Sequence, residues 1–152
     1  MTMNRTLRSV AVALFVGCAT AHAATIEIVV ERSAADAEKC NVSGAQLESI
    51  ARLTLRNSRL DPAGGLLSPY LYIRPTVMQT AGGLCVAEIG VSIRQLIPTP
   101  AGLAFKPAKI QVVAIVLCEE GAILSGPAYN FGERIVTAVE QKIKVCLGQL
   151  DY

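Results

Sequence analysis

Four cysteines constrain the fold of this chain more than any other feature, and they are Cys40, Cys85, Cys118 and Cys146. The 23 residues at the start of the chain read as an export signal, so these thiols are expected in an oxidising compartment, where disulfides form and persist. The sequence therefore predicts a fold held by two bridges. Four cysteines can pair in three ways.

The export signal is predicted over residues 1–23, which we expect to be cleaved off. Arg5 and Arg8 give a positive start, an apolar stretch follows, and residues 21–23 (Ala-His-Ala) form a small-x-small cleavage site. The apolar stretch is much shorter than the ~20 residues that span a bilayer, so it predicts removal and not anchoring. Lipidation at Cys18 is the alternative, although the residues before it depart from the lipoprotein pattern.

The composition of the mature chain, residues 24–152, excludes several functions. Cleavage leaves 129 of the 152 residues, which suits a single domain. Loss of Arg5 and Arg8 leaves twelve basic and twelve acidic residues, so no broad attraction to nucleic acid is expected. The only histidine, His22, lies in the signal, which excludes Ser-His-Asp catalysis and histidine-ligated metal sites. We therefore expect no enzyme, no cofactor, no metal and no membrane span after cleavage.

Residue patterns predict an α+β fold in the order β-α-β-β-β-(β)-α, with a mainly antiparallel sheet of four or five strands and two helices on one face. Predicted strands cover 25–31, 70–78, 84–96 and 109–119, with a short fifth at 122–125, and predicted helices cover 43–60 and the region after 130.

Local signals add detail to this fold. Pro75 lacks an amide hydrogen and predicts an edge or bulged strand. The fourth strand is apolar on both sides and is predicted to be central. Ser43 with Gln46, and Asn130 with Glu133, match the spacing of helix capping boxes.

Strand register favours Cys85–Cys118 and Cys40–Cys146 as the disulfides. A symmetric hairpin centred at residues 101–102 sets Cys85 directly opposite Cys118, close enough to bridge. The second bridge would tie the start of the first helix to the end of the last one. We interpret both as structural, because the Cys-x-x-Cys spacing of redox thiols does not occur.

The same strand alternation predicts a binding surface on the sheet face away from the helices. Tyr70, Tyr72, Arg74 and Arg94 project from that face, around Gly90, which leaves room for a close approach. Tyrosine and arginine are typical anchors of protein interfaces. Burial in a dimer interface, or beneath the proline-rich loop, is the alternative.

Two other groups of charges carry weaker predictions. Arg52, Arg56 and Arg59 form a stripe on the first helix, which we interpret as a solvated face, with binding of an anionic headgroup or acidic partner as the alternative. Glu119 and Glu120 are adjacent, and neighbours on a strand point to opposite faces, which suits a catalytic pair badly.

These patterns predict a small exported protein, periplasmic or secreted and of bacterial origin, that binds a protein partner in the cell envelope as an accessory protein or an immunity-type inhibitor. The alternatives are a structural homo-oligomeric subunit, with a homodimer as its simplest form, and a histidine-free hydrolase that uses glutamates. No motif in the sequence identifies a family.

The signal predicts a defined N-terminus for the exported protein. Intact-mass and N-terminal analysis should find a chain that begins at Ala24, because cleavage follows the small residue Ala23. A diacylated chain beginning at Cys18 would show that the lipoprotein alternative is correct.

Overall fold

The computed structural model describes residues 24–32, 36–65, 68–99 and 111–150, so the predicted signal peptide lies outside the described part of the chain. In order, its elements are β1 (Glu27–Val30), α1 (Asp36–Lys39), α2 (Gly44–Asn57), β2 (Tyr70–Gln79), β3 (Leu84–Thr99), β4 (Gln111–Pro127) and α3 (Ala128–Gln149).

The strands form one mixed sheet in the order β1-β2-β3-β4. β2 and β4 both run antiparallel to β3, whereas β1 runs parallel to β2. A parallel pair needs a crossover connection, and the segment containing α1 and α2 supplies it. The α+β class and the mainly antiparallel sheet are thus confirmed, while the parallel pair and the short helix α1 were not predicted.

The helices α2 and α3 pack against the same face of the sheet, which we call the inner face. The apolar sides of both helices are buried there, and each aliphatic side chain taken fully out of water contributes roughly 1.5–3 kcal/mol. The buried inner-face residues of the strands include Leu71, Ile73, Val77, Ala87, Ile89, Val91 and Ile93. Opposite them lie Leu47, Ala51, Leu55, Phe131, Ile135, Val139 and Ile143 of the helices.

The position of β4 differs from the prediction. It is the edge strand of the described sheet and not a central one, and the predicted fifth strand is its continuation. An apolar run on both sides of a strand predicts burial on two faces. In the structure most of that run is exposed, including Val113 and Ile115.

Pro75 lies in β2, an interior strand and not an edge strand, but at a point where its missing amide costs nothing. The pairing of β1 with β2 ends at Ile73, whose carbonyl accepts a hydrogen bond from the amide of Glu31. Backbone groups of residues two apart point to the same side of a strand. The nitrogen of Pro75 therefore points to the β1 side, like the carbonyl of Ile73, but lies just beyond the last residue that pairs with β1.

Neither predicted capping box forms. Ser43 precedes α2 and Pro127 precedes α3, and neither makes a side-chain hydrogen bond to the helix. Because α3 continues directly from β4, it begins before Asn130, whose side chain then lies in the first turn. The Oδ1 atom of Asn130 is buried and has no hydrogen-bond partner among the described residues.

Two disulfides are present, but the predicted pairing is wrong. Cys40 bridges to Cys85 and Cys118 bridges to Cys146, with Cα–Cα distances of 5.9 and 5.5 Å. In the β3–β4 hairpin Cys118 lies opposite Ile93, so Cys85 and Cys118 are far apart along the strands. The prediction assumed a hairpin centred at residues 101–102, whereas the observed strand register is centred further along the chain. Two bridges fit an exported protein.

The observed pairing can be checked by non-reducing peptide mapping, which should recover the 40–85 and 118–146 peptide pairs. Replacing both cysteines of either bridge by serine should lower the free energy of unfolding by roughly 2–4 kcal/mol, because the unfolded chain regains the freedom of a long loop. A peptide joining Cys85 to Cys118 would contradict the structure.

Candidate binding surface

The four predicted site residues share the face of the sheet opposite the helices, which we call the outer face. Tyr70, Tyr72 and Arg74 alternate along β2 with buried inner-face residues. In the register of β2 with β3, Tyr70 lies opposite Arg94, and Arg74 lies opposite Gly90. The structure therefore brings together Tyr70, Tyr72, Arg74 and Arg94, which we call the tyrosine–arginine cluster.

Arg94 stacks on an aromatic ring at the centre of this cluster. Its guanidinium carbon lies 4.6 Å from the ring centroid of Tyr72, within the range of a cation–π interaction. Its Nε atom donates a hydrogen bond of 2.9 Å to the hydroxyl of Ser92, a side chain that is buried. These two contacts hold the flat guanidinium in one orientation.

Glu31, the residue that directly follows β1, also joins the cluster, although the sequence did not assign it to the site. The hydroxyl of Tyr72 donates a hydrogen bond of 2.5 Å to its carboxylate. This hydrogen bond, together with partial burial and the negative charge of Glu31, raises the pKa of Tyr72 above its usual value. Strand alternation places Glu31 on the outer face, but only the parallel pairing of β1 with β2 reveals its neighbour.

Arg74 occupies the space that Gly90 leaves open. A β-carbon at position 90 would lie 3.7 Å from the Nε atom of Arg74, so the side chain lies across the glycine. The room predicted around Gly90 is therefore filled by the protein itself. Arg74 also approaches Glu88 at 3.6 Å, an exposed pair that adds little stability.

The chemistry of the cluster suits recognition of a protein surface more than catalysis. It offers two guanidiniums, two aromatic rings and, at its border, the carboxylates of Glu31 and Glu88. Positive and negative charges nearly balance, so selectivity would come from flat stacking and directed hydrogen bonds and not from net charge.

The other charged groups singled out in the sequence do not assemble into a site in the described residues. Arg52 of the helix stripe binds Glu48, with the Nη2 atom 2.6 Å from the carboxylate, and so stabilises its own helix. Glu120 binds Lys142 at 3.0 Å, and the hydrogen bonds from Lys142 and Gln149 lower the pKa of its carboxyl group. Glu120 thus faces the helices.

Glu119 lies on the other side of β4, opposite Ser92 on the outer face. The two adjacent glutamates thus point to opposite faces, as the alternation predicts. A carboxylate couple between them is not formed.

A groove of about 580 Å³ lies between α2 and α3, on the side of the molecule away from the outer face. Its walls include Ser49, Leu53, Tyr129 and Glu133, and none of the predicted site residues. Within the described ranges no three metal-binding side chains come together. No helix in this part of the chain has the length and apolar character needed to cross a membrane.

Comparison of the chain with protein-family models, with curated proteins and with solved structures finds no significant match.

The assignment of faces can be tested with two neighbouring residues of β2. Leu71→Ala should lower the free energy of unfolding by ~2–5 kcal/mol, because Leu71 is fully buried on the inner face. Tyr72→Ala should cost about 1 kcal/mol or less, since it loses only surface contacts. Urea unfolding of the two variants measures the difference. Equal losses would show that Tyr72 belongs to the core.

Proposed function

We propose that this protein is a small exported binding protein, periplasmic or secreted in a bacterium, that contacts a protein partner of the cell envelope through the tyrosine–arginine cluster. In this role it serves as an envelope accessory protein or an immunity-type inhibitor, and the mature chain of residues 24–152 acts without a cofactor. The observation that carries the proposal is the stack of Arg94 on Tyr72 on a sheet face that no described helix covers.

Preorganisation of the cluster supports this role. Ordering a long, flexible side chain at an interface costs roughly 0.5–1.5 kcal/mol, and Arg94 is already held by Tyr72 and Ser92. Tyr72 is held in turn by Glu31. A partner that lands on this surface meets side chains already in place, so more of the contact energy appears as affinity.

The composition of the cluster supports it as well. A few residues carry most of the binding energy of an interface, and tyrosine and arginine are enriched among them. Tyr70 and Tyr72 supply flat apolar area at a low entropic cost, while Arg74 is exposed and presents donors to a partner.

The proposal can be tested by photo-crosslinking in the exporting host. A photoreactive residue at Thr76, which is exposed beside Arg74 on the outer face, should form a crosslink to a different envelope protein. The matched control carries the same residue at Tyr129, which is 81% exposed on the helical side and should give no such crosslink. A crosslink only from position 129, or only to a second copy of this chain, would contradict the proposal.

Affinity measurements with the crosslinked partner then test the anchors. Tyr72→Ala combined with Arg74→Ala should weaken binding by at least ~2 kcal/mol, or about 30-fold, without unfolding the protein. Arg56→Ala, on the exposed side of α2, is the control and should leave affinity unchanged. Full affinity of the double variant would place the binding surface elsewhere, with the arginine stripe of α2 the next to examine.

A further inference from the structure

The β3–β4 hairpin extends well past the rest of the sheet. Pairing between β2 and β3 ends where Tyr70 meets Arg94, yet β3 and β4 remain paired from Gln95 opposite Ile115 to Thr99 opposite Gln111. At ~3.3 Å per residue, these five pairs project by roughly 17 Å. We call residues 95–99 and 111–117 the distal arm.

The β4 strand of the distal arm is apolar on both faces from Val112 to Leu117, and no described element covers these side chains. No charged residue occurs from Gln111 to Cys118. The large side chains of this stretch are 40–50% exposed in the described structure, and they are Val112, Val113, Ile115, Val116 and Leu117. Monomeric proteins seldom expose a contiguous apolar surface of this kind, because it attracts partners and promotes aggregation.

Strand β4 is also the edge strand of the sheet among the described residues. No described strand lies beyond it, so its outward amide and carbonyl groups in the distal arm can pair with an added strand, whereas near its end the carbonyl of Ser125 accepts a hydrogen bond from Arg134. The opposite edge of the arm is shorter and contains Pro98, which has no amide hydrogen to donate. The edge of β4 is therefore the better template for an added strand.

We infer that the β4 strands of two copies of this chain pair antiparallel across a two-fold axis, which joins their sheets into one of eight strands. This inference is independent of the tyrosine–arginine cluster, because it rests on a different surface.

Symmetry restricts the register of such a pair. The two-fold axis leaves each residue on the same face of the sheet in both copies. Directly opposite residues of an antiparallel pair also share a face, so the axis must pass through a residue that lies opposite its own copy. Centring on Ala114 sets Val112 opposite Val116, and Val113 opposite Ile115. Apolar side chains then meet apolar side chains in these pairs, Leu117 lies opposite Gln111, and the small side chain of Ala114 lets the strands approach at the axis.

Charge excludes the registers centred on Glu119 and on Glu120. A pair centred on Glu119 or Glu120 would place like charges directly opposite each other, which is destabilising. Centring on Ala114 separates the two copies of Glu119 by ten residues along the strands, or ~33 Å. At this distance the repulsion between the two carboxylates is screened at physiological salt.

A second copy is the occupant that this surface fits best. Residues 111–118 of β4 carry no charge and can place apolar side chains opposite one another about Ala114. Most soluble oligomers are symmetric assemblies of identical chains. Interfaces of permanent homodimers are also richer in apolar residues than transient ones.

Sedimentation of the mature protein, with both disulfides intact, tests the inference. The wild type should sediment at twice the mass of one chain, and Ala114→Lys should weaken the dimer by ~tenfold or more, because two ammonium groups meet at the axis. The control is Ile123→Lys on the same strand, where the side chain is 81% exposed and lies ~60 Å from its copy. This variant should remain dimeric.

A cysteine placed at the axis gives a second readout that does not depend on the stability of a lysine variant. Ala114→Cys should form an intermolecular disulfide in good yield under mild oxidation, whereas Ile123→Cys should not. A wild type that stays monomeric up to ~100 μM would overturn the inference. A dimer that crosslinks through position 123 and not through position 114 would overturn it too.

Discussion

Burial of the inner sheet face beneath α2 and α3 is the constraint on which the rest of the structure depends. Fully buried aliphatic side chains from both layers form one core, and both disulfides reinforce it by joining the helical layer to the sheet. Both helices lie on the same side of the sheet. No described helix covers the outer face, and there Tyr72 contacts both Arg94 and Glu31, while Arg74 pairs with Glu88.

The faces of the strands were predictable because side-chain alternation is a local property. Reading β2 and β3 with a period of two places Leu71 and Ile73 inside and Tyr72 and Arg74 outside, whatever the strands pair with. The same is true of the helix stripes around Leu47 and Ile135. The four residues of the tyrosine–arginine cluster were therefore found from the sequence, together with the α+β class.

Features that depend on register or on neighbours were not predictable in the same way. The centre of the β3–β4 hairpin had to be guessed from the loop, and an error of a few residues moved Cys85 away from Cys118. Glu31 was missed because nothing local shows that β1 runs parallel to β2. The position of β4 in the sheet was predicted wrongly for another reason. A strand buried on both faces and a strand exposed at an edge can both show an unbroken run of apolar residues.

The order of the cysteines along the chain also has a consequence for biogenesis. Each bridge joins a cysteine to the next one in sequence, Cys40 to Cys85 and then Cys118 to Cys146, so the two loops neither overlap nor nest. If the chain is exported as proposed, a translocon that passes it from the N-terminus presents these thiols in that same order. An oxidase that links thiols as they emerge would then form the native bonds without rearrangement.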